Sequence, residues 1–196
     1  MRRSQCEVKN PEEISAILKR CTIGRLATLG ADGFPYITPV NYVYWQDSIY
    51  FHCSHRGEKM ENIKSDSRVC FEVDIPLAYK ERACDPEAAP CSVHQFYHSV
   101  IIRGRAEIVT DSAEKVGALN ALMASHEKNP HYGEIQADMP EVAACSVVAV
   151  RVTTMTGKSD LGQKKSAEEK AMIADFLRRR NLPGDVEAAN LMCPDK

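Results

Sequence analysis

The sequence is short of the features that mark several large protein classes. It has one tryptophan and no apolar run near the ~18 residues of a membrane-crossing helix, so a helical anchor is not expected. No apolar stretch follows Arg2-Arg3, as it would in a secretory leader, and a cytoplasmic location is expected. Charge of one sign is also missing. The 25 Lys and Arg against 27 Asp and Glu leave a net charge of -2, too little to draw nucleic acid or an anionic membrane. Neither partner is expected, and any anion must be held by local chemistry. No CxxC pair occurs among the cysteines at 6, 21, 53, 70, 84, 91, 145 and 193. Zinc-ribbon and thioredoxin readings therefore lose their spacing, and no metal site is expected. Cys84 and Cys91 flank a Pro-containing loop, which leaves a pair or a metal open, with free thiols the simpler reading. Cys70 and Cys145 lie in or beside apolar runs and read as small hydrophobes. There is no Gly-rich dinucleotide fingerprint, so a nicotinamide would bind only transiently. Internal repeats are absent.

What is present fits one globular domain of 196 residues with 44% hydrophobic and 27% charged content. Asn10-Pro11-Glu12-Glu13 opens a helix with Ile14, Ile17 and Leu18 as its stripe. Strands are predicted over 21–29, 34–45, 48–53, 68–74, 96–109 and 146–154, with turns at Gly30–Gly33 and Gln46-Asp47. Short or medium helices are predicted from Gly57 to Ser65, after Asp111 with Val116, Leu119, Leu122 and Met123, and after a Ser166/Glu169 capping box. Residues 75–95 read as a long loop, 125–141 as irregular, and the tail beyond Pro183 carries no strong signal. Many strands joined by tight turns favour a small antiparallel barrel over a doubly wound α/β fold.

Three segments carry candidate chemistry. Pro39 sits inside the strand over 34–45, and proline cannot donate to a ladder. Pairing is therefore expected to break near Thr38–Asn41, freeing backbone groups for a ligand; an ordinary edge strand is the competing reading. In Phe51-His52-Cys53-Ser54, followed by Gly57 and Lys59, a strand runs into a helix start. Backbone N–H groups there, with Lys59 and Ser54, suit a phosphate. In Tyr97-His98-Ser99 through Arg103-Gly104-Arg105, Gly104 marks a bulge or a close backbone approach. Arg103 and Arg105 share a face, to pair with acids or to meet an anionic ligand.

Taken in order, these segments resemble the pyridoxamine 5'-phosphate oxidase-related FMN-binding split barrels, and within them the nitroimidazole-reductase-like (Nim) group. Gly24-Arg25-Leu26-Ala27-Thr28, Pro39 through Tyr44, Val69 through Val73 and Thr156-Gly157-Lys158 are similar to that group's pattern. The resemblance covers roughly 2–160. It implies a mainly β fold, a six-stranded antiparallel Greek-key split β-barrel with flanking helices, spanning 1–160, with 161–196 as a helical extension. It also implies a homodimer with FMN (FAD is possible) at the subunit interface. Thr38, Pro39, Val40 and Asn41 would flank the isoalloxazine. Phe51, His52, Cys53 and Ser54 would line the flavin and its ribityl chain, Lys59 would hold the phosphate, and Ser99 would come from the second subunit. His52 is the first choice for a substrate-side, catalytic role. Glu58-Lys59 replaces the Arg-Lys pair of true pyridoxamine phosphate oxidases, and their C-terminal arginine pattern is missing, so pyridoxal phosphate synthesis is not implied. The function implied is an oxidoreductase passing electrons from a reduced nicotinamide to a small electron-poor acceptor such as a nitroaromatic, as in nitroimidazole resistance. A non-turning-over flavin carrier or sensor is one alternative. A haem-binding barrel using His52, His55, His94 or His98 is another.

Overall fold

The computed structural model describes residues 2–129 and 131–194. These residues group into two compact units, one of 15–73 with 100–155, the other of 2–14, 74–99 and 156–194. The fold is mainly antiparallel β with flanking helices, as a split barrel requires. The strands are β1 (Glu7–Val8), β2 (Ile23–Leu29), β3 (Pro35–Asn41), β4 (Val43–Trp45), β5 (Ser48–Cys53), β6 (Arg68–Lys80), β7 (His94–Ile108) and β8 (Ser146–Asp160). The helices are α1 (Pro11–Arg20), α2 (Glu58–Ser65), α3 (Ser112–His126), α4 (Pro140–Ala144), α5 (Ala167–Arg180) and α6 (Asp185–Met192). Sheet order is β3-β2-β6-β7-β8-β5-β4, with β1 on β8. None of the described helices is long and apolar enough to cross a membrane.

In the first unit the β2–β3 hairpin turns through Gly33, at φ 83°, and Gly30 accepts the turn-closing bond from Gly33 N at 2.9 Å. The β4–β5 hairpin uses two consecutive left-handed residues, Gln46 at φ 45° and Asp47 at φ 54°, the geometry of a type I′ turn. The expected ladder break at Pro39 does not occur. Pairing runs unbroken from Ile23↔Asn41 to Leu29↔Pro35, with Pro39 opposite Arg25. β3 is the last strand of the sheet, and an edge tolerates a residue with no outward donor. The strand breaks instead at Tyr42. That side chain is buried, donates its hydroxyl to Leu18 O at 2.6 Å and packs edge-on against Phe71. Gly104 marks a close approach, as expected: a Cβ there would lie 2.3 Å from the backbone oxygen of Arg151.

In the second unit, the loop expected over 75–95 is shorter, because strand enters it from both ends. β6 continues to Lys80 and β7 begins at His94, with a 3-10 turn at Arg82–Cys84 between them. Pro76 and the polar Lys80 disguise the strand, but Leu77 and Ala78 are buried and Lys80 Nζ donates to Ser92 O at 2.8 Å. The tail beyond Pro183 forms α6, whose Ala188, Ala189 and Met192 pack with Leu77, Ala78, Ile173 and Leu177. A face built on alanine makes no visible apolar stripe. The Ser166/Glu169 capping box of α5 is present in both directions. All eight cysteines are thiols, Cys84 buried and Cys91 exposed.

Candidate functional site

The site is assembled in the first unit from an edge strand, an inner strand and a helix. Successive side chains of a strand face opposite ways, so His52 lies on the face opposite the buried Phe51, and it is exposed. The β5 register pairs His52 with Val147 of β8. α3 is fixed at both ends. Asp111 accepts from Glu114 N at 2.7 Å as its cap. Arg151 of β8 then donates to Glu114 Oε1 at 2.6 Å and to the Tyr50 hydroxyl at 2.8 Å, while Tyr50 donates to Glu114 at 2.8 Å. The Tyr50 hydrogen bond holds the Glu114 carboxyl below its ordinary range against burial, and burial pushes the Tyr50 phenol up. The first turn of α3 is thereby locked to the sheet, and its last turn is aimed.

That last turn faces a half-open cleft of about 610 Å3, well within the ~300–1,000 Å3 of small-molecule pockets. Its walls are mostly apolar, with Leu119, Leu122 and Met123 from α3 and Ile135, Met139 and Val142 beyond it. Asn41, His52 and His126 bring polar groups to this apolar setting. His126 Nε2 lies 2.9 Å from the Tyr42 carbonyl. A carbonyl only accepts, so Nε2 carries the hydrogen, and in the neutral ring Nδ1 is left as an acceptor.

The residues expected to hold a phosphate lie around the start of α2. α2 starts at Gly57, at φ 118°, without a side-chain cap, and the space where a Cβ would point is open. Lys59 lies in this first turn, its ammonium 5.1 Å from the centroid of the Phe51 ring. Phe51 is fully buried beneath it. Ser54 Oγ accepts from Arg56 N at 3.3 Å. Cys53 turns toward α2, its sulfur 3.4 Å from that of Met60, and burial pushes its thiol up. His55 is a structural tie, bonded at 2.7 Å to Ser146 Oγ and at 3.1 Å to Ala143 O.

On β3, Val40 is buried and Pro39 and Asn41 are exposed. Thr38 Oγ1 is buried with no hydrogen-bond partner, a costly state for a hydroxyl that lacks a ligand. Ser99 lies on β7 within the other unit. Arg105 donates to Ser67 Oγ at 3.1 Å, and Arg103 is exposed. The structure thus brings Asn41 and His52 to one cleft and gathers Gly57 and Lys59 at one helix start. Sequence reasoning missed His126 and the 135–142 wall. The signal for His126 was its spacing, four residues after Leu122 and seven after Leu119, which puts it on their helix face.

An antiparallel split-barrel sheet carrying an apolar small-molecule cleft at its edge defines the class. A family model described as pyridoxamine 5'-phosphate oxidase matches residues 10–159, and the chain belongs to that family. Among solved structures, a candidate 5-nitroimidazole antibiotic resistance protein from Bacteroides thetaiotaomicron is 25% identical, with TM-score 0.65, covering 78% of this chain and 85% of that one. The flavocytochrome Anf3 from Azotobacter vinelandii is 20% identical with TM-score 0.68, covering 87% and 77%. The FAD and haem binding protein from Mycobacterium smegmatis is 18% identical with TM-score 0.68, covering 83% and 77%. No curated protein matches the chain.

Proposed function

We propose that this protein binds a flavin, FMN in first place, between the subunits of a homodimer, and passes electrons from a reduced nicotinamide to a small electron-poor acceptor such as a nitroaromatic. The observation that carries the reading is the partnerless buried hydroxyl of Thr38. It lies on the same strand as Asn41, which reaches the cleft shared with His52. A flavin edge has the donors and acceptors to satisfy it. The residues present fit such a group: Thr38 to Asn41 along one side, His52 and Ser54 nearer the ribityl chain, and Lys59 with the uncapped start of α2 for the phosphate. Family membership and the flavin named in two similar structures point the same way. The dimer is supported by the outer face of β2 and β3, where Ile23, Leu29 and Ile37 are 55%, 41% and 62% exposed. Ile23 and Ile37 stand opposite Asn41 and Ala27 respectively, so this exposed face, which also carries the Arg25–Glu72 ion pair, runs up to Asn41.

Bound flavin would supply the electron transfer itself, which no side chain can. The chain binds the ring, orients the acceptor against apolar walls and keeps bulk water out. His52, an imidazole at the cleft, supplies a proton to the reduced product. His126, with Nε2–H held on Tyr42 O, offers Nδ1 as an acceptor to the acceptor molecule or to a water. Stopped-flow reduction by NADH and NADPH, followed by mixing with a nitroaromatic, tests the reading. Rapid bleaching and acceptor-dependent recovery are expected; flavin that stays oxidised with both donors leaves a carrier instead.

A second reading is favoured by one observation, two histidines facing the same apolar cleft. An imidazole in an apolar pocket is one common way to hold haem, and one similar structure is named as haem-binding and another as a flavocytochrome. A Soret band lost in His52→Ala would establish haem at this cleft; flavin bands alone would dismiss it.

A further inference from the structure

A second cleft, in the unit of residues 2–14, 74–99 and 156–194, has charge that the flavin reading does not use. Asp160, at the end of β8, is 3% exposed. Its carboxylate accepts from Arg3 Nη1 at 3.2 Å and from His94 Nε2 at 3.0 Å, with Lys158 Nζ at 3.6 Å. Lys158 also donates to the Tyr97 hydroxyl. Burial opposes the Asp160 charge, but the His94 hydrogen bond and the Lys158 ammonium outweigh it and keep the carboxyl below its ordinary range. Burial likewise opposes the Lys158 charge and is outweighed by Tyr97 and Asp160, so the lysine is a firm cation.

The cleft has a volume of about 480 Å3, and Arg2, Arg3, Lys158, His94, Tyr97 and Asp160 line it. Three permanent cations thus face a single carboxylate, leaving two positive charges unmatched even with His94 neutral. A structural cluster needs only one cation to offset Asp160, and surplus like charge around it is destabilising. Donors also remain. Lys158 carries three N–H groups and spends one on Tyr97 while pairing with Asp160 by charge, and Arg3 spends one guanidinium N–H on Asp160.

We propose that this cleft is an anion site that takes the phosphate group of a small phosphorylated molecule. A phosphomonoester carries roughly -1.5 to -2 at neutral pH, which matches the surplus of two, whereas a monocarboxylate would leave one cation unpaired. Asp160 is the fixed anchor that orients Arg3 and Lys158, and the Tyr97 ring offers a wall to the organic part of the ligand. None of these residues is among those assigned to the flavin, so the site stands or falls separately from that reading.

Phosphate binding to the purified full chain, with inorganic phosphate and then pyrophosphate as probes at matched ionic strength, tests the proposal by calorimetry. Saturable binding near one per chain is expected, weakened at least tenfold in Lys158→Gln and several-fold in Arg2→Gln. Arg2 is exposed, so its variant decides the matter even if Lys158→Gln misfolds. Absence of saturable binding would overturn the site. So would a loss in Lys59→Gln together with full binding in Arg2→Gln and Lys158→Gln, which would assign the anion to the start of α2.

Discussion

At the scale of single residues, His52 and Gly104 show two ways a position is constrained. His52 is exposed on a strand whose other side chains are mostly buried, and it spends its imidazole on the cleft. Nothing in the sheet depends on it. His52→Ala is therefore expected to retain flavin and fold normally while turnover with a nitroaromatic falls about 100-fold, the lower range for a lost general acid. Unchanged turnover would remove His52 from the chemistry. Gly104 has the opposite character. A methyl group there would press on the Arg151 backbone oxygen at 2.3 Å, and main chain within a sheet has little room to yield. Gly104→Ala should cost about 1–3 kcal/mol, the usual range for overpacking, read as a lower denaturation midpoint at constant slope. A stability equal to the parent would mean that β7 and β8 can part freely. The Gly104 constraint could be read in the sequence, because glycine inside an apolar strand has few other uses. His126 could be read only by helical spacing, since a lone histidine near a helix end looks like any dipole partner.

At the scale of elements, capping signals were legible and small-residue packing was not. Asn10, Asp111 and Ser166 each accept the helix-opening bond that their residue type predicts. The strands were found wherever β-branched and aromatic residues alternate. β6 was cut short because Pro76 and Lys80 look unlike strand, and the burial that overrides them comes from α5 and α6, far along the chain. α6 itself is held by a contact that sequence cannot show. Asp185 is 1% exposed and takes two guanidinium bonds from Arg180, at 2.7 and 2.8 Å, plus the Leu182 backbone N–H at 2.9 Å. The Arg180 hydrogen bond holds the Asp185 carboxyl below its ordinary range, against burial. A depressed native pKa means that the stabilisation is complete above the unfolded value near ~4 and drains away as pH falls through the native one. Asp185→Asn is expected to lower stability at neutral pH by about 1–3 kcal/mol, since the Arg180 guanidinium loses its charged hydrogen bonds to Asp185 while keeping its ion pair with Glu81. It should also flatten the acid side of the stability profile. A profile parallel to that of the parent would show that the pair does not anchor α6.

At the scale of the whole molecule, the family and the fold were legible from the order of motifs, while the cleft was not, because its far wall comes from the irregular stretch before α4. The exposed residues on β2 and β3 form the face that the proposed dimer would cover with a second copy of the chain. Ile37→Asp puts a charge in the middle of that face. It should leave the monomer folded, shift the mass in solution from dimer to monomer and release the flavin at the same time. Retention of the dimer would place the interface elsewhere.

The central claim is that this fold carries a flavin, and an absorption spectrum of the purified protein, with mass identification of the extracted chromophore, tests it most directly. The account predicts twin flavin bands, a released molecule with the mass of FMN, and about one per chain. A colourless protein that also fails to take up added FMN or FAD would contradict it.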